Sequence, residues 1–134
     1  MKFALTTSFP ASHGFATIEQ ELRDLMQAQG FGVLTEVDVQ AVMKKKLDLD
    51  QEPYKILGFC NPSKAHKVLE ANPDVGIFLP CSGVIYQKDD QVHVALTDAQ
   101  VMFEMIDDEQ IAPVAAEVTE IFTKVKADLE AKFN

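Results

Sequence analysis

Tryptophan is absent from the 134 residues, and tyrosine and cysteine occur only twice each. Two thiols without a C-x-x-C pair are too few for a cysteine-rich zinc site or a small disulfide-stapled scaffold. His13, His66 and His93 are scattered, with neither H-x-x-x-H nor H-E-x-x-H spacing, so no metal is expected. The acidic stretch Asp48-Leu49-Asp50-Gln51-Glu52 is no calcium loop, because it lacks the glycine of the sixth position and has Phe59 where the closing acid belongs. P-loop, G-x-G-x-x-G and G-x-S-x-G patterns are missing, and no motif requires a cofactor.

Positive charge is also short. Against 21 acidic residues stand 12 basic ones, and the net charge of −9 repels phosphate backbones and anionic lipid headgroups. The expectation is no nucleic acid and no membrane among the partners. No run approaches the roughly 20 apolar residues that span a bilayer. The start, Met1-Lys2-Phe3-Ala4-Leu5, turns polar at Thr6-Thr7, too early for a signal-peptide core. The expected compartment is therefore the cytoplasm, where both cysteines would be reduced.

What is present is an ordinary globular composition, 47% hydrophobic and 25% charged, without repeats, low-complexity tracts or linkers. One domain over 1–134 is expected, long enough to bury about two thirds of its unfolded surface. Alternation of Phe3, Leu5 and Thr7 with polar or small neighbours predicts a first strand, broken between Pro10 and Gly14. A helix follows, with Thr17 and Gln20 as its capping pair, Ile18, Leu22, Leu25 and Met26 as its apolar face, and Gly30 as its left-handed stop. Residues 31–37 read as a strand with Phe31, Val33, Thr35 and Val37 on one face. Asp38 caps a short helix that ends on Lys44-Lys45-Lys46, where cations complement the helix dipole.

Tyr54 to Cys60 predicts a third strand, and Asn61-Pro62 supplies an N-cap and a first-position proline for the next helix. Ala65, Val68 and Leu69 form that helix's apolar side. Ile77-Phe78-Leu79 reads as a strand, and Val84–Tyr86 faces Val92–Leu96 across Lys88-Asp89-Asp90 as a hairpin. Thr97-Asp98 starts a short amphipathic piece. The longest helix is the last, with a stripe running from Ile111 and Val114 through Val118 and Phe122 to Leu129. Together these elements predict a two-layer α+β fold, a mainly antiparallel sheet with its helices packed on one face.

Both cysteines follow apolar runs and precede turn signals, so both thiols are expected at strand ends, where clefts form. Cys60 adjoins the start of a helix, whose positive end favours thiolate, and is the candidate nucleophile. Buried, inert cysteines are the competing reading. Glu36 and Asp38 are two apart and, in a strand, project to one side with α-carbons roughly 6.5 to 7 Å apart. Such a pair can hold a cation or share a proton, but helix capping by Asp38 and pairing of Glu36 with a lysine of the 44–46 run or with solvent account for them more simply. Pairing of Cys60 with His66 is disfavoured, because a turn and a half of helix separates them.

Gly30-Phe31-Gly32-Val33-Leu34-Thr35-Glu36-Val37-Asp38-Val39, Lys46-Leu47, Tyr54 through Pro62, and Gly76 through Cys81 with Val84 and Tyr86 occur in an order and spacing that resemble the bacterial family called domain of unknown function 302. The resemblance runs from residue 1 to about 130. It implies a curved antiparallel sheet backed by helices, similar to the TATA-binding-protein-like arrangement, and a homodimer. It does not imply DNA binding, which the acidic balance opposes. Ser82-Gly83 departs from the family pattern, where a polar residue such as Asn and then an apolar one are expected. Three functional readings remain open: a small-ligand-binding domain with Glu36, Asp38, Cys60, Asn61 and Cys81 as candidate contacts; a thiol-dependent enzyme or redox protein using Cys60; and a homodimeric interaction module.

Overall fold

The computed structural model describes residues 2–134. Five strands form one antiparallel sheet in the order β1-β5-β4-β3-β2. β1 (Ala4–Pro10) and β2 (Gly32–Asp38) are its edges, and β3 (Tyr54–Cys60), β4 (Cys81–Lys88) and β5 (Gln91–Thr97) its centre. The helices are α1 (Phe15–Ala28), α2 (Val39–Leu47), α3 (Pro62–Ala71), α4 (Ala99–Phe103) and α5 (Ala112–Phe133). This is the expected α+β architecture, with a five-strand antiparallel sheet, helices packed on it and a long final helix.

Period-two alternation determines which face is covered. Val92, Val94 and Leu96 of β5, Ile85 of β4, and Leu57 and Phe59 of β3 are buried, together with Ile18, Leu22 and Met26 of α1 and Val118, Phe122, Val125 and Leu129 of α5. The stripe read along the last helix is therefore the helical half of the core. On the other face Val37, Ile56, Val84 and Ala95 stand opposite one another across four strands, and none of the four is fully buried.

Four local expectations change. β1 continues through Phe9, which pairs with Val92 and is fully buried, and Pro10 is tolerated at the end of an edge strand. α1 starts at Phe15 behind Gly14, whose φ of 93° only glycine adopts readily, so Thr17 lies inside the helix and no side chain caps it. In β2 the register shifts between Val33 and Thr35. This bulge at Leu34 puts Val33 and Glu36 on the helix-covered side, opposite Phe59 and Leu57, so the expected face of Phe31, Val33, Thr35 and Val37 is split.

The fourth change affects the second cysteine. The turn expected between Pro73 and Gly76 continues as a 3-10 helix over Pro73–Phe78, so Ile77-Phe78-Leu79 is not a strand, and the Asn72 side chain accepts from the Asp74 N–H. Ile77 is exposed, and Pro80, which has no N–H to give a ladder, precedes the strand. Cys81 thus begins β4 instead of ending an earlier strand. The hairpin itself is as expected: Asp89 and Asp90 both have positive φ, 54° and 61°, the signature of a type I′ turn.

Candidate functional site

A pocket of about 260 Å³ opens where β3 ends and β4 begins. Cys60 closes β3 and Cys81 opens β4, and because Phe59 stands directly opposite Cys81, the two cysteines are diagonal neighbours on the pocket wall. From α3 come Ala65, Val68 and Leu69, and from α5 Val114 and Val118. Phe31, Leu34, Leu79, Pro80 and Phe103 complete an almost entirely apolar lining. The bulge in β2 is what turns Leu34 toward this site.

Polar atoms gather at the start of α3. Asn61 is the N-cap, its Oδ1 accepting from the Lys64 N–H at 3.1 Å, so the sequence Cys60-Asn61-Pro62 ends a strand, caps a helix and presents a thiol to the pocket in three residues. Lys64 also lines the pocket, and its ammonium is paired with Glu117 of α5. Burial pushes the Cys81 thiol up to about 11, and the neighbouring Cys60 adds to this as charge of the same sign. Cys81 is therefore a neutral wall group at physiological pH, whereas Cys60 is only partly buried.

Of the residues singled out in the sequence, Cys60, Asn61 and Cys81 meet in this pocket, and Glu36 and Asp38 do not. Asp38 caps α2, accepting from the Ala41 N–H at 3.0 Å. Glu36 belongs to an ionic cluster beneath the other end of β2 and β3. Arg23 Nη2 lies 2.8 Å from Glu19 and 2.9 Å from Glu36, and Lys55 Nζ lies 3.1 Å from each of the same two carboxylates. The Lys44–Lys46 run is not its partner, since Lys44 pairs with Asp48 and Asp50. Among the described residues no group of histidine, cysteine and carboxylate side chains is arranged to hold a metal ion.

His66 is exposed and faces Glu70 at 3.6 Å, so no thiolate-imidazole pair forms with Cys60. Sequence reasoning missed Lys64, Phe103 and the α5 wall. Lys64 had a local signal, lying one turn from the cap on the side of Val68; Val114 and Val118 had none, because their spacing is that of core residues. It also missed an aromatic row on the sheet: Tyr54 stacks on Tyr86 at 5.2 Å, Tyr86 on His93 at 4.9 Å, and Ser8 Oγ lies 2.7 Å from His93 Nδ1.

No helix among the described residues is long and apolar enough to cross a membrane. Among curated proteins none matches this chain. A crystal structure of an uncharacterized conserved protein DUF302 from Bacillus stearothermophilus is similar to it over 93% of this chain and 96% of the other, with 28% identity and a TM-score of 0.83. Residues 7–129, which contain the pocket, the ionic cluster and every strand but the start of β1, match the domain of unknown function DUF302, and the chain belongs to that family.

Proposed function

We propose that the chain is a binding protein for a small, mainly apolar molecule seated between α3, α5 and the open end of the β3–β4 ladder. The observation that carries this reading is the cavity of about 260 Å³, apolar on its walls and polar only where Cys60, Asn61 and Lys64 meet its rim. Enclosure by apolar walls supplies affinity, and a few polar groups at one end supply orientation. A cavity of about 150 Å³ accommodates benzene, so this one suits a ligand of roughly ten non-hydrogen atoms.

The test is an NMR titration of the valine methyl groups with indole, in the parent protein and in Val118→Phe, which places a ring in the cavity. Saturable shifts at Val68, Val114 and Val118 are expected in the parent, and their loss in the filled variant. Ala65→Leu, a smaller obstruction, should weaken binding without abolishing it. Shifts that fail to saturate, or that survive in Val118→Phe, overturn the assignment of the pocket.

A thiol-dependent reaction at Cys60 is the second reading, favoured by the partial exposure of that thiol on the pocket wall. It ranks second because no imidazole or carboxylate lines the pocket to act as general base. As a partner we propose a second copy of the chain, docked through the partly exposed patch around Val37, Ile56 and Val84 on the sheet face away from the core. Ile56→Lys, at the centre of the row with Val37 and Val84, should then yield monomers in sedimentation equilibrium, and an unchanged mass would exclude that surface.

A further inference from the structure

Among the described residues Lys64 is the one charged residue that lines the pocket, and no carboxylate among them lines it. Its side chain is four-fifths covered, and its ammonium is tied to Glu117, about half of whose side chain is exposed. The start of α3, with the positive end of that helix, lies at the same rim. Inside, hydrocarbon faces hydrocarbon. A cavity of this kind is complementary in charge and polarity to a molecule with one anionic group and one compact apolar body.

The pairing of Lys64 with Glu117 is what a ligand would exchange. Exposed ion pairs hold weakly because water competes for both partners. The hydrogen bond and charge of Lys64 are what chiefly hold the Glu117 carboxyl below the ordinary value, with a smaller contribution from Lys67; on release Glu117, half exposed, exchanges Lys64 for water and keeps the field of Lys67. A ligand carboxylate arriving on Lys64 gains the same charge-assisted hydrogen bond, and its tail adds contact with apolar walls that Glu117 does not use. An amine or ammonium at the same spot would meet Lys64 as a like charge.

We infer that the pocket, on the binding reading above, takes small hydrocarbon monocarboxylates, the carboxylate replacing Glu117 on Lys64 while the apolar part fills the space between Val68, Val118 and Phe59. Two probes of the same shape separate the charge from the shape: octanoate and its neutral amide, octanamide, titrated by calorimetry at neutral pH. Octanoate is expected to bind at least about tenfold more tightly. Lys64→Met should bring octanoate down to the level of octanamide, and Lys64→Arg should retain most of the preference. Glu117→Gln, which removes the internal competitor, should tighten octanoate and leave octanamide unchanged. Equal binding of the two probes, or a preference that survives Lys64→Met, overturns the carboxylate assignment while leaving the pocket reading intact. Failure of both probes to bind overturns both.

Discussion

At one end of the β2–β3 ladder, Glu36 and Lys55 meet Glu19 and Arg23 in a cluster in which every charge has an opposite within about 3 Å. At the other, Gly32 pairs with Cys60, the side chains turn apolar, and space opens between the strands and the helices. Both ends hold residues of types used in catalysis. Only the second leaves room for another molecule. A carboxylate pair whose neighbours already satisfy it is a structural joint between α1 and the sheet edge, whereas an apolar cavity with one cation in its lining leaves the space that the proposed ligand would fill.

The largest effect expected is at the pocket end. Phe59 is buried opposite Cys81, and its ring sits so close to Gly83 that a Cβ there would lie 2.8 Å from Cε2. Phe59→Ala should lose about 3–5 kcal/mol in denaturant unfolding and enlarge the pocket. Gly83→Ala should also destabilise, since the same ring and Leu96 block the added methyl. A loss below about 1 kcal/mol for Phe59→Ala would show that the walls collapse inward, and the pocket would then not be a fixed cavity.

Next comes pH, which acts on the two ends in opposite directions. The folded chain binds the Cys81 proton more tightly than the unfolded chain, so stability from the neutral thiol is complete below 9.0 and is lost as pH rises toward about 11. Cys81→Ala should flatten that alkaline limb by on the order of 2 kcal/mol, and in the parent Cys60 should alkylate before Cys81. Glu36 behaves oppositely. The Lys55 hydrogen bond, followed by that of Arg23, holds its carboxyl below 4.5 against the opposing effect of burial. Its contribution is therefore complete above 4.5 and lost as pH falls through the lowered value, a limb that Glu36→Gln should flatten. Parallel limbs in parent and variants would break the contrast.

These contrasts were only partly legible in the sequence. Asp38 and Asn61-Pro62 are local signals, each set by a side chain and an N–H three residues away, and both cap helices as read; Asp98, read only as part of the start of a short amphipathic piece, caps α4 in the same way. The same locality made the junction of strand and helix at Cys60 and Asn61 legible. Val114 and Val118 join that site only because α3 and α5 pack together, which no spacing within either helix records. Glu36 likewise finds Arg23 and Lys55 through the packing of α1 on β2 and β3, not through the nearer Lys44–Lys46 run. The bulge at Leu34 and the continuation of the Pro73–Gly76 turn through Ile77-Phe78 were hidden for another reason: Leu34 and Ile77-Phe78 are strand-like in composition, and nothing local marks the departure.

Arg23→Met tests the satisfied end directly. Breaking an enclosed ion pair costs several kcal/mol, but here Arg23 and Glu36 remain 24% and 40% exposed. Screening by water reduces the expected loss to about 1–2 kcal/mol. High salt should narrow the gap between parent and variant. Binding of indole or octanoate should not change, because no member of the cluster lines the pocket.

The smallest effect is the most discriminating. Asp38 and Asn61 perform the same service, each accepting from an N–H three residues on, at 3.0 and 3.1 Å, and each beginning a helix that follows a strand. Asp38→Ala and Asn61→Ala should therefore cost alike, about 1 kcal/mol each in unfolding. Their effect on the pocket should differ. α2 has no buried residue and touches no part of the cavity, so Asp38→Ala should leave probe binding as it was. Asn61 positions the turn that carries Lys64, and its replacement should weaken octanoate more than octanamide. If the two alanine variants change binding equally, the ends of the ladder are coupled through β2 and β3, and the division into a satisfied joint and an open site fails.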